Sequence, residues 1–252
     1  VRNIISEYPK NNYILVGNAA LYDLRKEFSS ELKSANVIYF EWYSPCPLSY
    51  TSQNQTNLRI GTYLRSYSFS LLHADIILIT SYLEGFSDNC LTDFDRKLLK
   101  TPIVSIFYDL IPLINSNFYL KNNPKFSKFY KRKIKSMASL DGLLAISNSS
   151  AEEAVKYLGI KSTNVYNISS ACNRKIFNTS SSIDFKLSAE IYRFLPFILY
   201  SGASDPRKNI RRLLEAYSQL PQELKNFKLV LAGKLLDPEM QLINQWIDDF
   251  NI

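Results

Sequence analysis

Short apolar segments alternate with amphipathic segments along most of the chain. The apolar segments are rich in β-branched residues and too short for helices, which is typical of buried strands of a parallel sheet with both faces covered. Predicted strands cover 12–16, 36–40, 75–80, 102–107, 142–146, 164–168, 197–201 and 228–231. Predicted helices cover 21–30, 58–72, 124–138, 149–158, 209–220 and 237–250, with Gly159 as a helix C-cap. This alternation predicts an α/β fold with helices covering the sheet.

The segments between these elements predict a domain boundary and the ligand-facing edge. Ligands of parallel sheets bind in the loops that follow the carboxyl ends of the strands. A polar stretch at 44–57 predicts a long loop, and Ile111-Pro112 predicts another. A polar linker at 178–195 divides a first domain, 1–177, from a second, 196–252. We expect the first domain to lack its opening strand and the second to be truncated after two strands.

Composition narrows the class of protein. Of the 252 residues, 46% are hydrophobic and 13% are aromatic, which excludes global disorder. No apolar run approaches the roughly 18 residues of a membrane span, and the N-terminus lacks the apolar core of a signal peptide. Cys46, Cys90 and Cys172 form no Cys-x-x-Cys pair, so neither a disulfide framework nor a zinc site is expected. Such cysteine usage favours a reducing, cytoplasmic compartment.

The net charge of +7 favours an anionic partner and is unevenly distributed. One stretch without any acidic residue contains Lys121, Lys125, Lys128, Lys131, Arg132, Lys133 and Lys135. A second basic group consists of Arg207, Lys208, Arg211 and Arg212. Charge alone leaves nucleic acid, nucleotide phosphates and acidic lipid headgroups open as partners.

The most informative motif is the strand–loop–helix unit FILYSGASDPRKNIRRLL at 197–214. Gly202 allows a close approach of the backbone to a ligand, and the helix start near Asn209 presents unpaired N–H groups. Arg207 and Lys208 add two positive charges, and an Arg can bind two phosphate oxygens at once. These features suit a diphosphate. A plain turn with Asn209 as the N-cap and two solvated cations remains an equal alternative on spacing alone.

This unit resembles the start of the nucleotide-binding domain of family 4 glycosyltransferases, which are of the GT-B type. Four other segments resemble the same family in its order and spacing: TSYLEGF at 80–86, FYDLIPL at 107–113, AISNSS at 145–150, and the stretch 165–173. Each motif is weak alone, but the series covers nearly the whole chain. The resemblance implies a GT-B-like α/β fold, in which a Rossmann-type parallel-sheet domain precedes the start of a second Rossmann-type domain.

The resemblance also implies a reaction. Enzymes of this family transfer a sugar from a nucleotide-sugar donor to an acceptor, usually with retention and without a metal ion or another cofactor. The donor sits on the second domain and the acceptor on the first. The positions that match donor diphosphate binding are Gly202, Arg207 and Lys208, with the lysine stabilising charge on the leaving group. The acceptor-side candidates are Glu84, Gly85, Tyr108 and Asp109.

The acceptor-side acids have structural alternatives. Glu84 and Asp109 follow strands at the ligand-facing edge, where both could contact acceptor hydroxyls. Asp109 could instead cap the turn before Pro112, and Glu84 could brace its own loop. Tyr108 stands where many family members have a His, so a His contact to the sugar is not carried over.

Two further features distinguish this chain from the family pattern. Ala203 stands where many members have an Arg after the loop glycine, so either the usual pair of phosphate cations is incomplete or Arg207 substitutes. The family's Gly-rich loop would precede residue 1 and its Glu-x7-Glu motif would follow residue 252. We therefore assign no catalytic residue, and we expect the 252-residue chain to be inactive by itself.

The remaining polar residues permit less specific interpretations. His73, the single histidine, is expected at a helix end on the surface. The helix at 124–137 has an apolar stripe, made by Phe126, Phe129, Tyr130, Ile134 and Met137. Its other side carries Lys128, Lys131, Arg132 and Lys135. This helix either packs on the sheet with a solvated basic face or adsorbs onto an anionic membrane.

The leading hypothesis is a glycosyltransferase of bacterial surface polysaccharide synthesis, with a saccharide or polyprenyl-linked acceptor. It would be cytoplasmic, with peripheral attachment to the inner face of the plasma membrane as an open alternative. A basic nucleic-acid-binding protein is the runner-up, but no recognition-helix, RRM-like or zinc-finger signature supports it, so no nucleic acid is expected. A dehydrogenase or kinase would need a Gly-rich motif that is absent from the sequence. A non-catalytic partner domain remains open.

Overall fold

The computed structural model describes residues 1–18, 24–42, 50, 55–171, 196–202, 205–233, 235 and 237–252. The strands are β1 (Tyr13–Asn18), β2 (Val37–Trp42), β3 (Ile77–Ile79), β4 (Ile103–Phe107), β5 (Gly142–Ala145), β6 (Val165–Asn167), β7 (Phe197–Ser201) and β8 (Lys228–Ala232). The helices are α1 (Arg2–Glu7), α2 (Leu24–Glu27), α3 (Gln55–Ser70), α4 (Ile111–Ile114), α5 (Ser116–Tyr119), α6 (Pro124–Met137), α7 (Asn148–Leu158), α8 (Ile210–Ser218) and α9 (Asp237–Phe250).

The chain divides into two compact units, Val1–Ala171 and Cys172–Ile252. The predicted linker at 178–195 lies outside the described residues, so the predicted domain bounds remain a prediction. The predicted loop at 44–57 also lies largely outside them, although its last residues begin α3 at Gln55. Among the described residues, no helix combines the length and the apolar character needed to cross a bilayer.

The first unit is built on parallel strands, as the sequence predicts. Its four-stranded sheet has the order β3-β4-β5-β6, and every pair in it is parallel. The pair β1-β2 is parallel as well, with Tyr13 opposite Val37. Because the strands point the same way, the loops after β3, β4, β5 and β6 all emerge at one edge of the sheet. This edge carries every acceptor-side candidate.

The core of the first unit lies between this sheet and its helices. Ile103, Leu143 and Ala145 of the central strands are completely buried. From the predicted apolar stripe of α6, Tyr130, Ile134 and Met137 are buried in this core, and Phe126 is partly buried against it. Phe129 is buried in a smaller cluster with Tyr50, Leu58 and Leu91. Full burial of one large apolar side chain contributes about 1.5–3 kcal/mol, so this stripe anchors α6 firmly.

The prediction that all strands are buried on both faces is wrong in places. β3 alternates between buried and exposed positions, and Leu78 at its centre is 37% exposed. Ile38 of β2 and Leu199 of β7 are exposed by more than half. An apolar composition is compatible with one covered face or two, so the sequence cannot tell these arrangements apart.

Several element bounds also differ from the prediction. Ile111-Pro112, predicted as a loop, begins the short helix α4, which tolerates Pro because the first turn of a helix needs no N–H from it. The N-terminal helix α1 has no counterpart in the prediction. The C-cap at Gly159 is confirmed, since this residue ends α7 with a φ of +66°.

The second unit repeats the strand–helix pattern. β7 and β8 are parallel, with Phe197 opposite Lys228. Helices α8 and α9 bury Ile210, Leu214 and Ile243 in a separate apolar cluster. The bounds of β7 and α9 are those predicted from the sequence.

Candidate functional site

The loop after β3 holds two of the acceptor-side candidates. Glu84 is exposed, and one of its carboxylate oxygens accepts a hydrogen bond of 2.6 Å from the Ser81 hydroxyl. Gly85 is buried with a φ of +98°, and a Cβ atom at this position would collide with the Cys90 carbonyl oxygen. Gly85 therefore shapes the loop, whereas Glu84 both braces it and faces solvent.

The loop after β4 contains the other two candidates. The Asp109 carboxylate accepts a hydrogen bond from the Ile111 backbone N–H at 3.0 Å. This bond closes a turn on the residue's own backbone, so the structural alternative for Asp109 is realised. Tyr108 is about half exposed, and its hydroxyl donates to the Thr80 carbonyl oxygen at 3.3 Å. Through this bond the loops after β3 and β4 lie side by side.

The start of α7 positions the Tyr108–Leu110 turn. Ser147 caps the helix by accepting a bond from the Ser150 N–H at 3.1 Å. The Ser150 hydroxyl in turn donates to the Tyr108 carbonyl at 2.6 Å, and Glu153 accepts the Leu110 N–H at 3.1 Å. The AISNSS segment thus acts through capping and support, which its closely spaced serines could have indicated.

A buried ionic network next to the loop after β3 was not predicted from the sequence. The Lys133 ammonium is buried and lies 3.3 Å from the Asp93 carboxylate. Arg132 approaches the same carboxylate at 3.1 Å from the solvent side. Burial alone would raise the pKa of Asp93, but the two cations outweigh it and hold that pKa below its usual value. Burial also lowers the pKa of Lys133, against the attraction of Asp93.

Arg65 of α3 borders this network. Its guanidinium lies 4.6 Å from the ring centre of Phe69 and 4.0 Å from that of Phe94. It also donates to the Asp93 carbonyl oxygen at 3.4 Å. Burial lowers the pKa of Arg65 to about 10. Stacking between two aromatic rings partly replaces the water that the cation has lost.

The thiol of Cys90 has no nucleophilic character in this environment. Burial, followed by the negative charge of Asp88, raises the pKa of Cys90 to about 11. The Asp88 carboxylate accepts the Cys90 backbone N–H at 2.7 Å and so shapes the same loop as Gly85. Burial thus favours the protonated thiol over the nucleophilic thiolate at this position.

On the second unit, two glycines bring the loops after β7 and β8 together. The Gly202 N–H donates to the Ala232 carbonyl at 3.0 Å. A Cβ atom on Gly233 would collide with the Gly202 carbonyl oxygen. Gly202 is therefore placed at the carboxyl edge of the β7–β8 pair, as predicted, and the backbone is compact there. Ala203, which departs from the family pattern, lies outside the described residues.

The two predicted cations differ in their surroundings. Arg207 is turned towards Asp205, with 3.3 Å between its Nε and the carboxylate, in the short 3₁₀ turn Pro206–Lys208. Lys208 is exposed, and no hydrogen bond or ion pair of its ammonium is found among the described residues. Asn209 adopts a φ of +53°, and its side chain makes no capping bond to the described backbone of α8. The predicted N-cap position of Asn209 is confirmed, although its side chain makes no capping bond, and both neighbouring cations are exposed, as the plain-turn alternative expects.

No metal site can be assigned within the part of the chain that the structure describes. No cluster of three or more His, Cys, Asp or Glu residues occurs there in a suitable arrangement. His73 is exposed in the turn after α3, where a surface histidine was expected.

The chain is similar in sequence to bacterial mannosyltransferases. Several Escherichia coli proteins named serotype-specific mannosyltransferase WbdA match it, and one is 29% identical over 233 residues. That match covers 91% of this chain but only 28% of the relative, so the chain spans little more than a quarter of that protein. No protein-family model matches the sequence.

The fold is similar to that of solved glycosyltransferases. Anabaena Alr3699/HepE, solved in complex with UDP and glucose, aligns with a TM-score of 0.55 at 13% identity, over 96% of this chain and 67% of its own. A glycosyltransferase from Rickettsia africae aligns with a TM-score of 0.57 at 17% identity, over 96% and 66%. The predicted GT-B-like fold with Rossmann-type parallel sheets is confirmed, while membership of family 4 stays a prediction.

Proposed function

We propose that this protein is a glycosyltransferase that transfers a sugar from a nucleotide-sugar donor to a saccharide or lipid-linked acceptor in the synthesis of a bacterial surface polysaccharide. The observation that carries the proposal is the exposed side chain of Lys208, six residues after Gly202 in the segment that follows β7. The similarity to mannosyltransferases makes mannose the first donor sugar to test. A structural neighbour with bound UDP and glucose supports a nucleotide-sugar donor.

Lys208 binds the donor diphosphate and stabilises the charge that develops on it as the sugar departs. A lysine is a compact point charge, and an exposed ammonium loses little by exchanging water for phosphate oxygens. Arg207 can join it, because its pair with Asp205 is partly open to solvent and surface pairs contribute only about 0–1 kcal/mol. In this scheme the chain's own cations balance the diphosphate, no metal is needed, and the sugar keeps its configuration.

The acceptor binds at the edge formed by the loops after β3 and β4. The outward carboxylate of Glu84 accepts hydrogen bonds from sugar hydroxyls, and the half-exposed ring of Tyr108 provides an apolar contact. Asp109 uses one oxygen for its turn and has further lone pairs for an acceptor hydroxyl. Gly85 contributes to this edge through the loop conformation that only glycine permits.

A membrane contact would serve a lipid-linked acceptor. The apolar stripe of α6 is packed in the core, so only its basic side can meet a lipid surface. Four lysines of this side are exposed, namely Lys125, Lys128, Lys131 and Lys135. Near an anionic surface each contributes about 1 kcal/mol, which is enough together for reversible adsorption.

The donor part of the proposal is tested by sugar transfer with GDP-mannose and with UDP-glucose, using the intact protein. We expect Lys208→Ala to lower kcat by about 10²-fold or more, as the loss of a transition-state charge partner does. Lys225→Ala, an exposed lysine of the same unit, is the matched control and should leave the rate unchanged. Equal rates for the wild type and Lys208→Ala would contradict the assignment. NMR of the first-formed product would report retention or inversion.

A further inference from the structure

The loop at 82–92 is closed at its base by buried side chains. The Thr92 hydroxyl donates to the Tyr82 carbonyl oxygen at 2.7 Å, so the two ends of the loop are joined directly. Tyr82, Thr92 and the adjacent Asp93 are all more than nine-tenths buried. The part of the loop that reaches solvent includes Glu84, the acceptor-side carboxylate.

Lys133 contacts all three residues at this base. Its ammonium donates to the Thr92 hydroxyl and to the Asp93 carboxylate. The same ammonium lies 4.8 Å from the ring centre of Tyr82. Lys133 is only 1% exposed, so these contacts replace its hydration entirely. Burial of an ammonium lowers the stability of the fold unless its hydrogen-bond and charge partners are well placed. The position of the loop ends is therefore coupled to the position of α6, which carries Lys133.

The far part of the loop is held by a different kind of contact. The ring of Phe86 lies 5.2 Å from that of Phe126 and 5.3 Å from that of Phe129. The Gly85 carbonyl accepts the Tyr50 N–H at 3.0 Å. Glu84 therefore lies between an apolar anchor at Phe86 and a charged anchor at the base, and α6 supplies the side chains of both.

We propose that Lys133 is a positioning residue, which clamps the base of the 82–92 loop and thereby presents Glu84 to the acceptor. This inference rests on the proposed transferase function. The lysine does not touch the acceptor itself, because it is buried behind the loop. Its effect belongs to acceptor binding alone, since the donor contacts assigned above lie on the other unit.

Two variants separate the clamp from general stability. Lys133→Met keeps the length and apolar stem of the side chain but removes all three ammonium contacts. Thr92→Val keeps the volume of the side chain and removes only its hydroxyl. The ion pair between Lys133 and Asp93 is retained, so this is the milder variant. Lys97→Met replaces an exposed lysine that contacts neither the loop nor α6 and serves as the matched control.

The first measurement is steady-state sugar transfer by the intact protein with donor and acceptor varied separately. We expect Lys133→Met to raise the acceptor KM by about ten-fold or more with an unchanged donor KM, and Thr92→Val to do the same more weakly. A loss of folded protein alone would lower the apparent kcat and leave both KM values unchanged. Unchanged acceptor KM values in both variants would overturn the proposal.

The second measurement is hydrogen exchange of the backbone amides, which needs no enzymatic activity. The amides of Gly85 and Cys90, both bonded to Asp88, should exchange at least about ten-fold faster in Lys133→Met, with the β4 and β5 amides unaffected. Equal exchange in the wild type and the variant would refute the clamp. If the wild type transfers no sugar from any nucleotide donor, the role in acceptor binding is lost with the proposed function, and exchange alone decides the clamp.

Discussion

At the scale of single residues, two glycines with left-handed backbone conformations make different demands on the chain. Gly159 has a φ of +66°, and a Cβ atom added to it would meet no described atom within 4 Å. Gly85 has a φ of +98°, and its Cβ would overlap the Cys90 carbonyl oxygen. The first position therefore needs glycine for conformation only, and the second needs it for conformation and space.

We expect Gly159→Ala to lower the free energy of unfolding by about 1–2 kcal/mol, the usual strain of a left-handed residue with a side chain. Gly85→Ala should lower it further, because the carbonyl of a bonded loop must also move. Urea unfolding of the two variants under identical conditions compares the losses directly. A smaller loss of unfolding free energy for Gly85→Ala than for Gly159→Ala would contradict this. It would show that the loop around Gly85 moves without loss of stability.

For single residues, the sequence predicted the place of a residue in the fold better than the residues that it contacts. Both possible roles of Asp109 were foreseeable, because an aspartate before Ile-Pro in a turn bonds to its own backbone. Lys133 was counted in the basic stretch on account of its charge and was assigned to neither side of the helix. Its spacing from Phe129, Tyr130 and Met137 nevertheless places it on the buried stripe of the helix. Asp93 lies forty residues earlier in the chain, and only the folded sheet brings the two together.

At the scale of elements, α7 is joined to the neighbouring loop through its first turn. The Ser147 hydroxyl accepts the Ser150 N–H and donates to the Ser150 hydroxyl at 3.0 Å. The Ser150 hydroxyl in turn donates a hydrogen bond to the Tyr108 carbonyl oxygen. A capping serine therefore supports the Tyr108–Leu110 turn as well as its own helix.

Ser147→Ala should lower the free energy of unfolding by about 1 kcal/mol, the usual cost of losing a side-chain cap. Ser149→Ala, an exposed serine in the same turn, is the control and should fall within about 0.5 kcal/mol of the wild type. Thermal unfolding monitored by circular dichroism measures both. Equal melting temperatures for the two variants would mean that water replaces the cap without loss.

The elements themselves were predicted well where a helical periodicity or a continuous apolar run marks them. The 14-residue helix α9 and the apolar strand β7 have the bounds predicted from the sequence. Short helices were predicted poorly, because four residues such as those of α4 carry no periodicity and a proline usually signals a loop. Helix α1 was missed for the same reason, since its six residues have a single buried side chain, Ile5.

At the scale of the whole molecule, the excess of positive charge predicts a salt-dependent interaction with anionic lipid. Reversal of Lys125, Lys128, Lys131 and Lys135 to Glu should abolish co-sedimentation with vesicles containing phosphatidylglycerol at low salt. Each reversal removes an attraction of about 1 kcal/mol and adds a repulsion. Transfer to a soluble acceptor should be retained, because none of these side chains has been assigned to donor or acceptor binding.

The matched control reverses four exposed lysines elsewhere on the first unit. These are Lys10, Lys33, Lys97 and Lys161. Both quadruple variants have the same net charge. If only the total charge of the protein determined vesicle binding, both variants would therefore bind equally weakly. Loss of binding confined to the α6 variant would assign the lipid-facing side to that helix. Equal binding of both variants to the vesicles would contradict a lipid contact of α6. The basic side of this helix would then be a solvent-exposed face, as is usual for a packed helix.

The contact between Gly202 and Gly233 has a practical consequence for variant libraries built at this edge by directed evolution. A Cβ atom on Gly233 would overlap the Gly202 carbonyl oxygen, and a Cβ atom on Gly202 would crowd the Tyr200 hydroxyl of its own strand, so neither position has room for an added carbon. Libraries that randomise this edge should keep both codons fixed and place diversity at positions flanking them. Substitutions that arise on one loop will then be compared at a constant spacing between the two loops.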